Sequence, residues 1–327
     1  INISADIIIQ EKYGLGEPSN HMIDEILKDV RKKEYKRIIA LGGGTVIDIA
    51  KLLIFKGENS ILEMFDKSCD FNKNKELIVI PTTCGTGSEV TNISIVEIKE
   101  RKTKMGLAID ELYPDYAILI PEVVKGLPYE YFVFSSIDAL IHACEAYISP
   151  NANPYTDMYA SRAIEMIVTG YSDIILKGRE HRFDIMEDFV MASNYAGIAF
   201  GNAGVGAVHA LSYPLGGTYH VPHGEANYLF FIEVFKKYEE LNNSGKIRAL
   251  KRILMNCIDT NEDDVFLNIK QLLDNMITAN PLKNYGMKKE DINSFTLSVI
   301  EKQQRLLGNN YAPFNEEIIE GIYSKLY

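Results

Sequence analysis

The feature that most constrains this chain is a change of hydrophobic period near residue 128. Before it, short apolar runs of β type alternate with helix-period stretches. Residues 7–9 form one such run, followed by Met22, Ile23, Ile26, Leu27 and Val30 at helical spacing. Then come R-I-I-A-L (37–41) and a helix opening at T-V-I-D-I-A-K-L-L-I-F (45–55). L-I-V-I (77–80) and Y-A-I-L-I (116–120) repeat the theme. Continuous apolar strands bounded by Gly or Pro, with helices between them, predict a parallel sheet covered on both faces. Pro81, Pro121 and Pro128 fall at run ends, where a missing N–H does least harm. After Pro128 strand-like runs vanish, and residues 157–170, 183–200, 225–239 and 263–277 carry helix-period apolar positions. The prediction is an α/β domain over 1–128 and an all-helical domain over 129–327. A length of 327 residues agrees, since single cores tend to split beyond ~250–300 residues.

Bulk properties narrow the function classes. Hydrophobic residues make up 46% and charged residues 24%, as in ordinary globular chains. A formal net charge of −11 without a Lys/Arg-rich stripe argues against a nucleic-acid partner. No apolar run approaches the ~20 residues of a membrane span. Cys69, Cys84, Cys144 and Cys257 lack metal-type or disulfide spacing, which suits small buried residues in a reducing cytoplasm. The chain opens on Ile1 with no initiator Met and no signal-type n-region, and D-I-I-I follows at 6–9. A segment ahead of Ile1 is expected.

Four residues suggest chemistry. Asp138 and His142 lie four apart in S-I-D-A-L-I-H-A-C-E-A-Y, so on a helix they share one face. His209 and His223 frame V-H-A-L-S-Y-P-L-G-G-T-Y-H-V-P-H-G-E-A-N and could complete a four-ligand divalent site. A set of oxygen and nitrogen donors without thiolate suits iron, zinc, cobalt or manganese. Alone, a D-x-x-x-H pair is more often solvated surface; the rest of the chain changes that balance. Gly42-Gly43-Gly44-Thr45 follows a strand and opens a helix, which lets backbone approach a pyrophosphate and aims free N–H groups at it. The alternative is a tight strand–helix turn with no ligand, and G-x-G-x-x-G is not met. P-T-T-C-G-T-G-S-E-V-T (81–91) offers hydroxyls from Thr82, Thr83, Thr86 and Ser88 plus two glycines. Two phosphate-type loops upstream of a metal tetrad point to a dinucleotide in a cleft between the domains.

At these motifs the chain resembles the iron-containing (group III) alcohol dehydrogenase family. The matching stretches are G-G-G-T-V-I-D-I-A-K (42–51), the 81–91 loop, D-A-L-I-H-A-C-E-A-Y (138–147), A-N-P-Y-T-D (152–157) and the 206–227 segment. Within the family, residues 200–228 and Q-Q-R-L-L-G-N-N-Y (303–311) are most similar to clostridial members acting on 4-hydroxybutyrate. The resemblance implies a Rossmann-like, dehydroquinate-synthase-like α/β domain and an all-α metal-binding domain. It makes Asp138, His142, His209 and His223 ligands of Fe2+, with Zn2+ as the alternative. Gly42, Gly43, Gly44 and Thr45 would hold pyrophosphate, with Asp48 in the same helix start. Thr82, Thr83, Thr86 and Ser88 would line the cofactor, and Lys104 would reach the nicotinamide ribose. His21 and His181 lie in polar contexts and are read as surface.

Two departures bear on mechanism. Where many members carry a further histidine four residues after the first late ligand, this chain has Tyr213, so Tyr213 or His220 becomes the candidate for the proton route. The acidic residue that favours NAD(H) over NADP(H) would precede Ile1, and NAD(H) is expected on resemblance alone. The implied reaction is hydride transfer between the cofactor and a small alcohol or aldehyde, specifically 4-hydroxybutyrate and succinate semialdehyde, in a homo-oligomer (dimer or larger). Candidate partners for the distal carboxylate are Tyr213, Tyr219, Asn92 and an unidentified Arg or Lys. The alternatives are a general short-chain alcohol or diol dehydrogenase, a dehydroquinate-synthase-like lyase, and a non-catalytic binding protein. The lyase would use a glutamate ligand and basic residues for a phosphate-bearing substrate; the binding protein would have lost a ligand or loop glycine.

Overall fold

The computed structural model describes residues 5–101 and 103–327, so the expectation about a segment ahead of Ile1 lies outside the described residues. Among the described residues there are five strands: β1 (Arg37–Gly42), β2 (Glu76–Pro81), β3 (Ile93–Ile98), β4 (Thr103–Ala108) and β5 (Tyr116–Ala117). Three helices accompany them, α1 (Asn20–Val30), α2 (Gly44–Leu52) and α3 (Ile61–Phe65). Then follow α4 (Pro121–Val124), α5 (Tyr129–Ile148), α6 (Pro154–Lys177), α7 (Met186–Ala203), α8 (Ala207–Tyr219) and α9 (His223–Leu241). The chain closes with α10 (Gly245–Cys257), α11 (Val265–Met276), α12 (Asp291–Lys302), α13 (Gln304–Leu307) and α14 (Glu316–Leu326).

Residues 1–82 and 88–119 form one unit, and 83–87 with 120–327 form a second. In the first, β1, β2 and β5 make a parallel sheet in the order β1-β2-β5, with Ile38 opposite Leu77 and Ala40 opposite Val79. Ala40, Leu77 and Val79 point into a core closed by α1 and α2, whose Ile23, Ile26 and Ile47 are fully buried. The start of α1 is fixed by Ser19, whose hydroxyl accepts from Met22 N at 3.3 Å. In the second unit α5 is central: it is apolar nearly all round and packs on α6, α7 and α9, as a helix enclosed by others should be. Asn153 caps α6 by accepting from Tyr155 N and Thr156 N, with Pro154 at the first helical position.

Four expectations change. Residues 7–9 are not a strand: Ile7, Ile8 and Ile9 are exposed and run into a short 3-10 turn at Gln10–Lys12. No strand among the described residues pairs with them, and an isolated run of three cannot hold extended geometry alone. The sheet is covered within its unit on one face, while Ile39 and Leu41 on the other are 51% and 56% exposed. β3 and β4 form an antiparallel hairpin (Ser94 opposite Leu107) that the run-and-helix reading passed over. Finally, the units divide at Leu119–Ile120 rather than at 128, because α4 packs on α7.

Candidate metal centre

α5 carries Asp138, His142 and Glu145 one turn apart on a single buried face. A stripe of polar groups in an apolar setting costs several kcal/mol unless each finds a partner. Here they converge with His209 of α8 and His223 at the start of α9: one donor atom from each of Asp138, His142, His209 and His223 lies within 4.8 Å of the others. His209 Nε2 and His223 Nε2 stand 3.9 and 3.8 Å from Asp138 Oδ1. Metal bonds of ~2.1 Å give donor separations of roughly 3.4 Å in a tetrahedron and about 4.2 Å across an octahedron, so the cluster needs little closure to hold one ion.

The donors are also presented correctly. His142 Nδ1 donates to Gly85 O at 3.3 Å, leaving the Nε2 lone pair for a ligand. Its ring is clamped between Phe200 (centroids 4.2 Å apart) and His209 (4.7 Å). Burial pushes the His142 pKa down to about 3, so the ring is neutral, the state a metal requires. Burial alone would raise Asp138, but His142, His223, His209 and the Asn227 amide outweigh it and hold the carboxyl below its usual range. Asn227 Nδ2 donates to Asp138 Oδ1 at 2.7 Å. His209 Nε2 is buried with no hydrogen-bond partner, an orphan that a cation would satisfy. Three of the four candidate donors are buried and His223 is 34% exposed, so the cluster opens on the His223 side.

The other expected residues divide. Gly42 is forced by packing, since a Cβ there would meet Val46 Cβ at 2.5 Å. Gly43 is the N-cap of α2, with Gly44 and Thr45 supplying its first N–H groups. Thr82 N donates to Gly42 O at 3.0 Å, tying the start of the second loop to the first. Thr82, Thr83 and Thr86 are half-buried. Asp48 turns inward instead of toward the loop: its carboxylate accepts from Ile95 N at 2.9 Å, its carbonyl from Ser94 Oγ, and it lies 4.0 Å from Lys51. Burial raises its pKa against the pull of Lys51, the Ile95 N–H and the Ser88 hydroxyl, so Asp48 and Ser88 are engaged with one another within the fold. The glycines of the second loop make close helix contacts. A Cβ on Gly85 would meet Ser135 O at 2.5 Å, and one on Gly87 would meet Gly197 Cα at 2.4 Å.

Lys104 is paired with Glu17, so a reach to ribose requires that pair to open. Tyr213 lies beside the centre, its ring 6.2 Å from that of His223. His220 is exposed at the left-handed C-cap of α8. Tyr219 donates to Asp291 and Asn92 to Asp110, which removes both as ready partners for a substrate carboxylate. His21 pairs with Glu100, and His181 with Asp184, outside the centre. Glu145 and Asn227 were missed, although Glu145 follows His142 at the helical spacing that flags it.

The comparisons with known proteins agree with this geometry. Residues 4–121 match the model for "iron-containing alcohol dehydrogenase" and 132–327 that for "Fe-containing alcohol dehydrogenase family, C-terminal". A 4-hydroxybutyrate dehydrogenase of Clostridium kluyveri is 60% identical over 326 residues, covering 100% of this chain and 88% of that protein. Long-chain-alcohol dehydrogenase 1 of Geobacillus thermodenitrificans is 31% identical, over 95% and 80%. The crystal structure of an iron-containing alcohol dehydrogenase from Thermococcus thioreducens superposes with a TM-score of 0.83 at 29% identity, over 96% and 83%. A 1,3-propanediol oxidoreductase gives 0.85 at 25%, over 95% and 82%. Asp138 and the intact cluster argue as the matches do, against a lyase or a degenerate binding protein. This chain therefore belongs to the iron-containing alcohol dehydrogenase family and is an oxidoreductase that acts on alcohols.

Proposed function

We propose that the chain interconverts 4-hydroxybutyrate and succinate semialdehyde with NAD(H), at an iron centre on Asp138, His142, His209 and His223. The observation that carries this is the 60% identity over the whole chain to the clostridial 4-hydroxybutyrate dehydrogenase. When bound, a divalent ion supplies Lewis acidity toward the alcohol or carbonyl oxygen, and a nicotinamide gives or takes the hydride. The chain's own residues bind and orient. Asp138 brings the one negative charge in the ligand set, so a divalent ion would keep net positive charge there. Phe200 and the walls of α5 and α8 keep water from the buried ligands, and His223 marks the entry. The N–H groups of Gly44 and Thr45 suit a pyrophosphate, with Gly42 and Gly43 allowing approach; Thr82, Thr83 and Thr86 offer hydroxyls to the cofactor.

Tyr213 is the side chain best placed to meet substrate, either holding a proton for the alcohol oxygen or binding the distal carboxylate; His220 is the second proton candidate. A buried carboxylate left unpaired would cost several kcal/mol, so the pocket must supply a partner. Iron is favoured over zinc by the family, since the donor set suits both. NAD(H) over NADP(H) and a homo-oligomeric state also rest on resemblance. A cytoplasmic location is supported by four unpaired cysteines; no helix among the described residues is long and apolar enough to cross a membrane.

The test combines metal analysis with NADH oxidation by succinate semialdehyde and by butyraldehyde. A higher kcat/KM for succinate semialdehyde is expected. Equal or higher values for butyraldehyde would mean that the carboxylate adds no transition-state binding, leaving a general alcohol dehydrogenase. A preference for NADPH of about tenfold or more would reject the cofactor assignment.

A further inference from the structure

Glu145 is a fully enclosed carboxylate that touches neither solvent nor the ligand cluster's interior, yet both of its oxygens are engaged on α8. Oε1 accepts from Val208 N at 2.8 Å, and Oε2 accepts from His209 Nδ1 at 2.6 Å. Its side chain is 1% exposed. A buried charge of this kind persists only where several donors compensate it. α8 begins at Ala207, so Val208 and His209 are its second and third residues, and the Val208 N–H is one of the orphan donors of a helix start. The N-cap position is Gly206, which has no side chain to cap with. Nor is there room for one: a Cβ there would meet Asn310 Oδ1 at 2.9 Å, Tyr238 OH at 3.3 Å and Glu145 Oε1 at 3.4 Å. The cap thus comes from a different helix, α5, and the negative charge sits at the favourable end of the α8 dipole.

We propose that Glu145 is a positioning residue of the metal centre, which fixes His209 as its Nδ1–H tautomer and locks α8 to α5 so that Nε2 faces Asp138 and His142. Three facts converge on this. Glu145 accepts a hydrogen bond from Nδ1–H, which keeps the proton on Nδ1 and leaves the lone pair at Nε2, the buried atom without a partner. The carboxylate stands on the same helix face as Asp138 and His142, so one rigid helix supplies two ligands and orients a third. And both contacts are N–H donors, so only a group with two acceptor atoms fits. A glutamine must turn its NH2 toward either Val208 N–H or His209 Nδ1–H, and either choice sets donor against donor.

The inference rests on the metal reading of this cluster, and the test separates the two. Wild type, Glu145→Gln and His209→Ala are loaded with zinc and titrated with a competing chelator, metal content being measured by elemental analysis. In parallel, the Tm of each metal-free protein is recorded. Glu145→Gln is expected to weaken zinc binding by about 10–100-fold, and His209→Ala by more. A role confined to capping α8 would lower the metal-free Tm and leave zinc affinity unchanged, so affinity within twofold of wild type in Glu145→Gln overturns the proposal. Unchanged zinc binding in His209→Ala would instead overturn the metal reading itself. Should Glu145→Gln not fold, unmodified zinc-loaded protein carries the test by NMR, with His209→Ala identifying the resonance. A downfield His209 Nδ1 proton protected from solvent exchange is expected; a freely exchanging one overturns the proposal.

Discussion

Asn227 Nδ2 donates to Asp138 Oδ1 at 2.7 Å and lies 3.2 Å from His223 Nε2, so one buried amide spans two candidate ligands contributed by different helices. Its own oxygen accepts from Ser212 Oγ on α8, which links a third helix into the same network. Replacing Asn227 with leucine leaves Asp138 Oδ1 without this donor, while the Ser212 hydroxyl loses one acceptor and keeps His209 O. A buried polar group so stranded costs about 1–3 kcal/mol. Asn227→Leu should therefore lower stability to urea by that amount and lower kcat/KM at saturating metal. Full activity at an unchanged denaturation midpoint would show that the amide orients nothing.

His209→Ala and His223→Ala should each lose most of the bound metal and most of the activity, since each removes one of four donors and metal sites of this size have no spare ligand. The two should differ in their metal-free stability. His209 is enclosed and bonded to Glu145, so its loss leaves a cavity and a stranded carboxylate, whereas His223 is a third exposed. Metal analysis beside thermal melts checks both statements; full metal retention in either variant contradicts the ligand assignment.

Much of this centre could be read from the sequence because helical spacing is a local property. Asp138 and His142 at i and i+4 predict a shared face whatever the tertiary structure, and the structure places them so. What brings His209 and His223 to them is packing of α9 on α5 and of α8 on α9, for which the sequence offers only family likeness. The second glycine loop shows the reverse. Gly85 and Gly87 look like phosphate-loop glycines, but their lack of a side chain is required by Ser135 and Gly197, residues 50 and 110 positions downstream by their numbering. No local pattern carries that information. The β3–β4 hairpin is poorly legible: burial along I-S-I-V-E-I alternates strictly between half-buried and buried positions, but Ser94 lies on the buried face and Ile95 and Val96 are adjacent apolars, so no apolar–polar alternation marks the strand.

Gly87 offers a direct measure of that packing. It adopts φ +58°, where an L side chain is strained, and a Cβ would stand 2.4 Å from Gly197 Cα and 3.0 Å from Gly197 N. The obstruction is helix backbone, which cannot rotate away. Gly87→Ala should destabilise by about 1–3 kcal/mol, read as a lower denaturation midpoint, and should disturb the loop whose Gly85 carbonyl orients His142. A neutral effect would mean that the loop does not pack on α7 as described.

Lys51 predicts a pH dependence of stability. It is fully enclosed, donating to Ile93 O at 2.7 Å and Thr91 Oγ1 at 3.1 Å, and burial pushes its pKa down to about 8 from 10.5. Because the folded value lies below the unfolded one, the unfolded chain binds more protons between about pH 8 and 10.5. Stability attributable to this residue therefore rises with pH through that window, and the cost of burying the ammonium is fully present below pH 8. The rise is at most on the order of 3 kcal/mol. Comparing wild type with Lys51→Met by denaturant titration across the window isolates it. A wild-type curve parallel to that of Lys51→Met would show that the amine titrates normally.

Substitution of Tyr213 tests how the substrate end of the proposed site works. The ring is half-buried beside His223, at the one ligand that solvent reaches. If its hydroxyl binds the distal carboxylate of succinate semialdehyde, Tyr213→Phe removes a hydrogen bond to a charged group, a contribution of about 1.5–3 kcal/mol. That corresponds to a fall in kcat/KM of roughly tenfold or more for succinate semialdehyde, with butyraldehyde little affected. If the hydroxyl instead moves the proton, kcat falls for both aldehydes and the pH profile of kcat changes shape. Carboxylate binding is the expected result, because a substrate of this class brings a charge that must be met inside the pocket. Equal losses for the two aldehydes would assign Tyr213 to the proton route, and no loss for either would return that route to His220 and the carboxylate to a cationic side chain.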